Sequence, residues 1–373
     1  MHCHPTLPGR AVALALVACV GLVAAARPSA AAEADFADTA ARIRGTLERE
    51  LFTLSPYRMA HYGLRLYRQT GDARYASLIW VDMAHWASVL DGIGAEARTP
   101  ADLRALAEQR LADYAARPGE RRRERLAAVR ERPEYLVLAS RLLPALARID
   151  AYGLRHADDA HLRALLRGFD WQDAVTDTQM VESWAAPLAN TVFALRRLGE
   201  ADHVDAFVAA FRARYPEPPP APLSDHAFRN KLYGQTHIII AASGYYRRPV
   251  AADAYGWLFD SFRAHADEIE RRATPDMLAE VGIAFLLAGL DDEPLLARIR
   301  RRVAASVSPV HGLIPSTKGA TDLQMVEHRN SVAVLLLDWR GAHDRPNVIT
   351  DPELFERLPF GLAPITRPSS EVR

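Results

Sequence analysis

From residue 33 onward, apolar side chains recur at helical spacing, and the alternating apolar–polar pattern of a half-buried strand is almost absent. The periodic segments come in pairs, each divided by a short Gly-, Asp- or Pro-containing turn. The first pair covers 55–87 and turns at QTGD. The second covers 132–169. The third, 176–215, turns at LGEAD, the fourth covers 231–269, and the fifth, 274–307, turns at AGLDDEP. The sixth begins at 321 and ends weakly at TDPELFERL. The run THIII at 236–240 has strand propensity, but it continues into AASGYY, so the whole segment reads as a buried helix.

The first helix of each pair is apolar nearly all round, as a helix buried on every side must be. The second is amphipathic, as a helix covering it should be. Six such hairpins predict an all-α fold, an (α/α)6-type toroid with six inner and six outer helices. The alternative is an open α-solenoid. Residues 36–52 and 100–131 read as additional helices of the same domain, 33–373.

The stretch before that domain changes the picture of where the chain works. Arg10 precedes the apolar run AVALALVACVGLVAAA, which is too short for a membrane span, and small residues follow. Residues 1–32 therefore read as a signal peptide, cleaved after about Ala32. The alternative is a lipobox, LVAC, with a lipid anchor on Cys19. Either reading predicts a periplasmic, secreted or envelope-anchored protein with no integral span beyond the leader. Both cysteines, Cys3 and Cys19, lie in the leader, so the mature chain has no disulfide and no thiolate ligand. Charge is balanced, with 46 basic and 46 acidic residues. The one basic run, 117–132, carries Glu between its arginines, which suits a solvated helix face and argues against a nucleic-acid partner. No Gly-rich phosphate loop is present.

One frame is written twice: TDTQMVE at 176–182 and TDLQMVE at 321–327. Thr176 and Thr321 with Gln179 and Gln324 form a capping-box pattern, and Asp177 and Asp322 suit the positive helix end. Capping leaves the acid unexplained. Glu182 and Glu327 lie six positions after their Thr, Glu280 lies six after Thr274, and His61 lies six after Ser55. His237 falls in a similar place and His328 adjoins Glu327, whereas the second pair has only Leu138 there. In a toroid the inner N-termini share one rim, so these residues form a ring around a polar cavity. Taken singly, each has an equally good reading as the partner of a neighbouring Arg. A second echo, NTVFAL at 190–195 against NSVAVL at 330–335, is offset by five residues from the first, which predicts a kink near Pro187.

The chemistry such a ring suggests is carbohydrate chemistry on a glycan or another small polar ligand. As a glycoside hydrolase, Glu327 and Glu182 would be the carboxylate pair, with Trp184 and Trp171 either stacking on sugars or sitting in the core. As a polysaccharide lyase, His237 or Tyr233 would take a proton while Asn330 or Arg329 neutralised a carboxylate. His61, Glu280, His328 and Gln235 complete the binding set. No HExxH or similar spacing supports a metal site on His61, His237 and His328, no cofactor motif appears, and no nucleophile elbow is visible. A non-catalytic scaffold binding an envelope glycan or protein is the alternative function.

The strings YGQTHIIIAASGYY (233–246) and EHRNSVAVLLL (327–337) resemble a bacterial family defined as a domain of unknown function, DUF3541, over roughly the C-terminal two-thirds of the chain. The resemblance implies an exported protein and supplies no catalytic residues. The hairpin series is also distantly similar to α/α-toroid glycosidases and lyases, without the motif of any one glycosidase family.

Overall fold

The computed structural model describes residues 30–116 and 118–365, with side chains from residue 35. The leader reading falls outside those side chains. The chain is mostly α-helical. Helix α1 (Ala30–Arg49) precedes α2 (Pro56–Thr70) and α3 (Ala76–Glu96). Two helices, α4 (Pro100–Ala115) and α5 (Glu120–Val129), occupy the segment read as additional. Then come α6 (Tyr135–Val137), a π-helical turn at Leu138–Leu142, α7 (Leu143–Ala151), α8 (Asp159–Arg167) and α9 (Trp171–Thr176). The rest comprises α10 (Thr178–Leu198), α11 (Val204–Arg214), α12 (Asp225–Ala242), α13 (Gly256–Ala264), α14 (Ala266–Arg272), α15 (Pro275–Leu287), α16 (Pro294–Ala305) and α17 (Leu323–Leu337). Among the described residues there is also one small sheet, which the periodicity does not predict. Its strands, β1 (Leu154–His156) and β2 (Leu362–Pro364), pair antiparallel and tie the C-terminal segment to the second hairpin. No described helix is long and apolar enough to cross a membrane.

The first helices of the pairs pack side by side: α2 on α17, α17 on α15, α15 on α12, α12 on α10, and α10 on α7. Helices α2 and α7 are joined through α3, which packs on both. Helix α3 thus departs from the expected outer position, and its near-uniform apolar composition (Leu78, Ile79, Met83, Trp86, Leu90 and Ile93 are buried) fits a helix covered on several sides. Helices α11 and α16 cover α10 and α15 as expected. Among the described residues the sixth pair has only a 3-10 turn, Pro352–Phe355, where its second helix would stand, and α1 packs on α17 instead. The spacing of buried Phe36, Ala40, Ile43 and Leu47 gives α1 the single apolar stripe that this position needs.

Prolines interrupt the regular helical hydrogen bonding at two places along a cavity wall. Pro187 cannot donate to the Ser183 carbonyl, and α10 breaks at Trp184 (φ −126°, ψ 23°), which is the kink the offset echo predicts. Arg125 of α5 takes up the orphaned carbonyl, its Nε lying 2.9 Å from Ser183 O, and its guanidinium stacks 4.5 Å over the Trp184 ring. Pro144 likewise follows the π turn, whose Ala139, Ser140 and Arg141 face the cavity.

Candidate functional site

The N-caps set the register of the site, and they differ from the sequence reading. Asp177 and Asp322, not the threonines, are the capping residues: each accepts from the backbone N–H three residues on, at Met180 and Met325. Thr176 instead ends α9, its hydroxyl donating to Gln172 O, and Gln324 donates to Thr53 O. Asp outcompetes Thr because its carboxylate also interacts with the positive helix end. The shift by one residue rotates the ring by about 100° on those two helices. Counted from the true caps, the sixth residue is His61 on α2 (61 − 55), Glu280 on α15 (280 − 274) and His328 on α17 (328 − 322). Glu327 falls one position short of that level and turns toward α2.

His61, Glu280 and His328, with His237, border one cavity of about 640 Å³. Such a volume lies within the range of small-ligand sites, about 300–1,000 Å³. The four side chains form one network with Glu327. His61 Nδ1 donates to Glu327 Oε1 at 2.6 Å, and the same carboxylate accepts from Ser331 (2.6 Å) and Arg58 (3.2 Å). His61 Nε2 lies 3.4 Å from His328 Nδ1, and His328 Nε2 lies 3.5 Å from Glu280 Oε1. Glu280 also accepts from Thr236 (3.0 Å) and faces His237 Nε2 at 3.7 Å, while His237 Nδ1 contacts Asn190 Oδ1 at 3.0 Å. Asn190 and His237 share a deeper level, thirteen residues from their caps at Asp177 and Ser224 (190 − 177, 237 − 224).

Electrostatics divide these groups. Burial, reinforced by Arg65, drives His61 down to about 3 despite its carboxylate partner, so the ring is neutral at pH 7 and its Nε2 carries a lone pair. Burial alone would raise Glu327, but the His61 contact, the Ser331 hydroxyl and Arg65 pull it to about 2. Burial opposes the ionised form of Glu280 as well, yet His237 and His328 hold it well below the usual carboxylate range.

The cavity wall continues onto residues the sequence reading missed. Tyr57, His85 and Trp86 form an aromatic face beside His61, with Tyr57 5.7 Å from His85 and 6.1 Å from Trp86 between ring centroids. The wall also carries Arg65, Arg68, Arg141, Arg148 and Arg197, together with Tyr245 and Tyr246. Gly244, Tyr245 and Tyr246 all have left-handed backbones, with φ of 67°, 60° and 69°. Two consecutive non-glycine residues in that region store strain, here held by Ser243 Oγ accepting from Tyr246 N and by Arg68 donating to Tyr245 O. The available signal was a cation inside a helix otherwise read as apolar: Arg65 and Arg68 are both buried in the C-terminal half of α2.

Seven predicted site residues, besides Glu327 behind His61, lie away from the cavity wall. Glu182 pairs with Arg214 and is half-exposed, so it does not join Glu327 as a carboxylate pair. Trp184 packs against Tyr135 and Arg125, and Trp171 is a core residue bonded to Leu166 O. Asn330 spends both amide functions on Ile314 and Val326, pinning the loop before α17. Gln235 donates to Ser261. Tyr233 and Arg329 both bond Asp276. Among the described residues, no three His, Cys, Asp or Glu side chains are grouped to hold a metal ion.

Comparison with curated proteins finds no match. Comparison with solved structures finds none either. The family comparison does match, over residues 36–365, well beyond the C-terminal two-thirds that the two strings suggested, so the polar network and the cavity both fall inside it: the chain belongs to the family described as Domain of unknown function (DUF3541).

Proposed function

We propose that this protein is a glycan-active enzyme that cleaves its substrate by acid–base elimination, with the cavity as its active site. The succession of helix contacts supports reading the fold as a closed α/α toroid whose central cleft is that cavity. The observation that carries the proposal is the placement of His61, with Nδ1 held at 2.6 Å by buried Glu327 and Nε2 beside His328, in a site whose burial favours the neutral ring. A neutral imidazole with its Nδ1–H fixed on a carboxylate is the arrangement of a general base. His61 Nε2 takes a proton from a sugar carbon. The electron pair of that C–H bond becomes the new C=C bond, the neighbouring carbon–oxygen glycosidic bond breaks, and the leaving oxygen receives a proton from His328. No water or other reactant is consumed. Glu327 and Glu280 act as positioning residues, one for each imidazole. Elimination is favoured over hydrolysis by two carboxylates because Glu182 is engaged by Arg214 outside the cavity.

The test incubates the purified chain with a panel of plant, algal and bacterial polysaccharides and records both reducing ends and the ultraviolet absorbance of an unsaturated sugar. Elimination predicts that both rise together. H61Q should lower the rate about 10²–10⁴-fold. Reducing ends without the absorbance would mean hydrolysis. Binding without turnover would move the non-catalytic scaffold ahead.

A further inference from the structure

The arginine wall of the cavity is not explained by acid–base chemistry. Of its five guanidiniums, Arg148 is neutralised by Asp82 at 2.8 Å, and Arg68 is spent on the carbonyls of Arg345 (3.0 Å) and Tyr245 (2.9 Å). Arg65 and Arg197 differ. Among the described residues neither forms an ion pair with a carboxylate, and the Nε of each is buried without a hydrogen-bond partner. Arg65 has one donor on the His61 carbonyl (3.0 Å) and lies over the Tyr246 ring at 5.7 Å. Arg197 stands against the Gly244 turn. The two thus flank the same left-handed segment from opposite helices, α2 and α10. A buried guanidinium with unused donors carries a desolvation cost that an anion in the cavity would offset.

We propose that Arg65 and Arg197 form a carboxylate site, so that the substrate is an acidic sugar of the uronate class. This deepens the acid–base reading and rests on it for the identity of the ligand as a sugar. Three observations select a carboxylate over other anions. The Nε–Nη edge of an arginine matches a planar carboxylate with two parallel hydrogen bonds. Ionised Glu280 on the same cavity disfavours a doubly charged group. Finally, Arg65 follows His61 by four residues on α2, one helical turn away. A carboxylate on Arg65 therefore places the carbon bearing it next to His61 Nε2. That carbon is the one whose hydrogen becomes acidic once the carboxylate charge is neutralised. The base and the anion site therefore share one face of α2.

Calorimetric titration separates the two claims. The probes are a galacturonate trimer and a mannuronate trimer, with maltotriose as the neutral control and inorganic phosphate as the simple anion. At least one uronate trimer should bind ten times or more tightly than maltotriose. R65Q and R197Q should each weaken that binding about 10- to 100-fold with thermal midpoints no lower than that of the wild type, and R197K should restore part of it. Equal binding of maltotriose, stronger binding of phosphate than of either trimer, or unchanged affinity in both arginine variants would overturn the carboxylate site. Tight uronate binding with no cleavage by the wild type would leave this site standing and remove the acid–base reading alone.

Discussion

At the scale of single residues, the stability of the kinked helix α10 hangs on one exchange of partners. Pro187 strips Ser183 of its helical donor, and Arg125 supplies the replacement while lying over Trp184. Arg125→Ala leaves a buried carbonyl unsatisfied and removes a cation–π contact, so we expect a loss of about 1–3 kcal/mol in urea unfolding. Arg125→Lys should recover less than half, because an ammonium cannot both reach the carbonyl and stack on the indole. No change on Arg125→Ala would mean that water satisfies Ser183 O equally well. The same scale shows why Glu182 and Glu327, written in identical frames, end differently. One is neighbour to Arg214 on an exposed helix face, the other is sealed against Arg58, His61 and Ser331.

At the scale of helices, close approach is set by glycines. A Cβ on Gly63 would lie 2.3 Å from Leu78 Cβ, and one on Gly282 would lie 2.5 Å from Leu336 Cδ1. The Leu78 atom is attached to its backbone and cannot swing aside, whereas the Leu336 methyl is the end of a flexible chain. Gly63→Ala should therefore cost more than Gly282→Ala: about 2–3 kcal/mol or more against about 1 kcal/mol, on the scale of overpacked cores. Chemical denaturation of the two variants checks the order, and equal costs would show that α2 and α3 slide apart freely. Because α2 carries His61 and Arg65 while α3 carries His85 and Trp86, such sliding would also distort one wall of the cavity.

At the scale of the whole molecule, the buried His–Glu network makes stability depend on acid. The folded His61 protonates near 3 against 6.5 for a free imidazole, so between those values the unfolded chain binds a proton that the native one does not. Its contribution is complete above about pH 6.5 and fades as the pH falls toward 3. Glu327, at about 2 against 4.5, adds a second loss of the same sign below pH 4.5. Wild-type stability should fall between pH 6.5 and 4.5 more steeply than that of H61Q, by at most about 1.4 kcal/mol per pH unit. Thermal midpoints across that range read the difference, and parallel curves for the two proteins would show that His61 is protonated in the native state. The same depressed basicity predicts that the acid limb of any turnover lies well below pH 6.5.

Some of this was decided by local sequence. Helical periodicity and turn residues determined the all-α class and most hairpin boundaries, because a helix that buries one face must repeat its apolar positions every three to four residues. Pro187 and the slipped NTVFAL echo determined the kink, since a missing N–H is a covalent fact. His61, Glu280, His237 and His328 were legible as costly groups on apolar helices. Other features depended on neighbours far along the chain. Gln324 is drawn to Thr53 O rather than back to the start of its own helix, and Asp322 takes the cap of α17, which moves the ring from Glu327 to His328. The fate of Glu182 depended on Arg214, and that of Asn330 on the loop at Ile314. The arginine wall of the cavity was hidden for the same reason. Arginines are spread through the whole sequence, and only packing shows that two with an unspent buried donor, Arg65 on α2 and Arg197 on α10, 132 residues apart (197 − 65), meet at one turn of backbone.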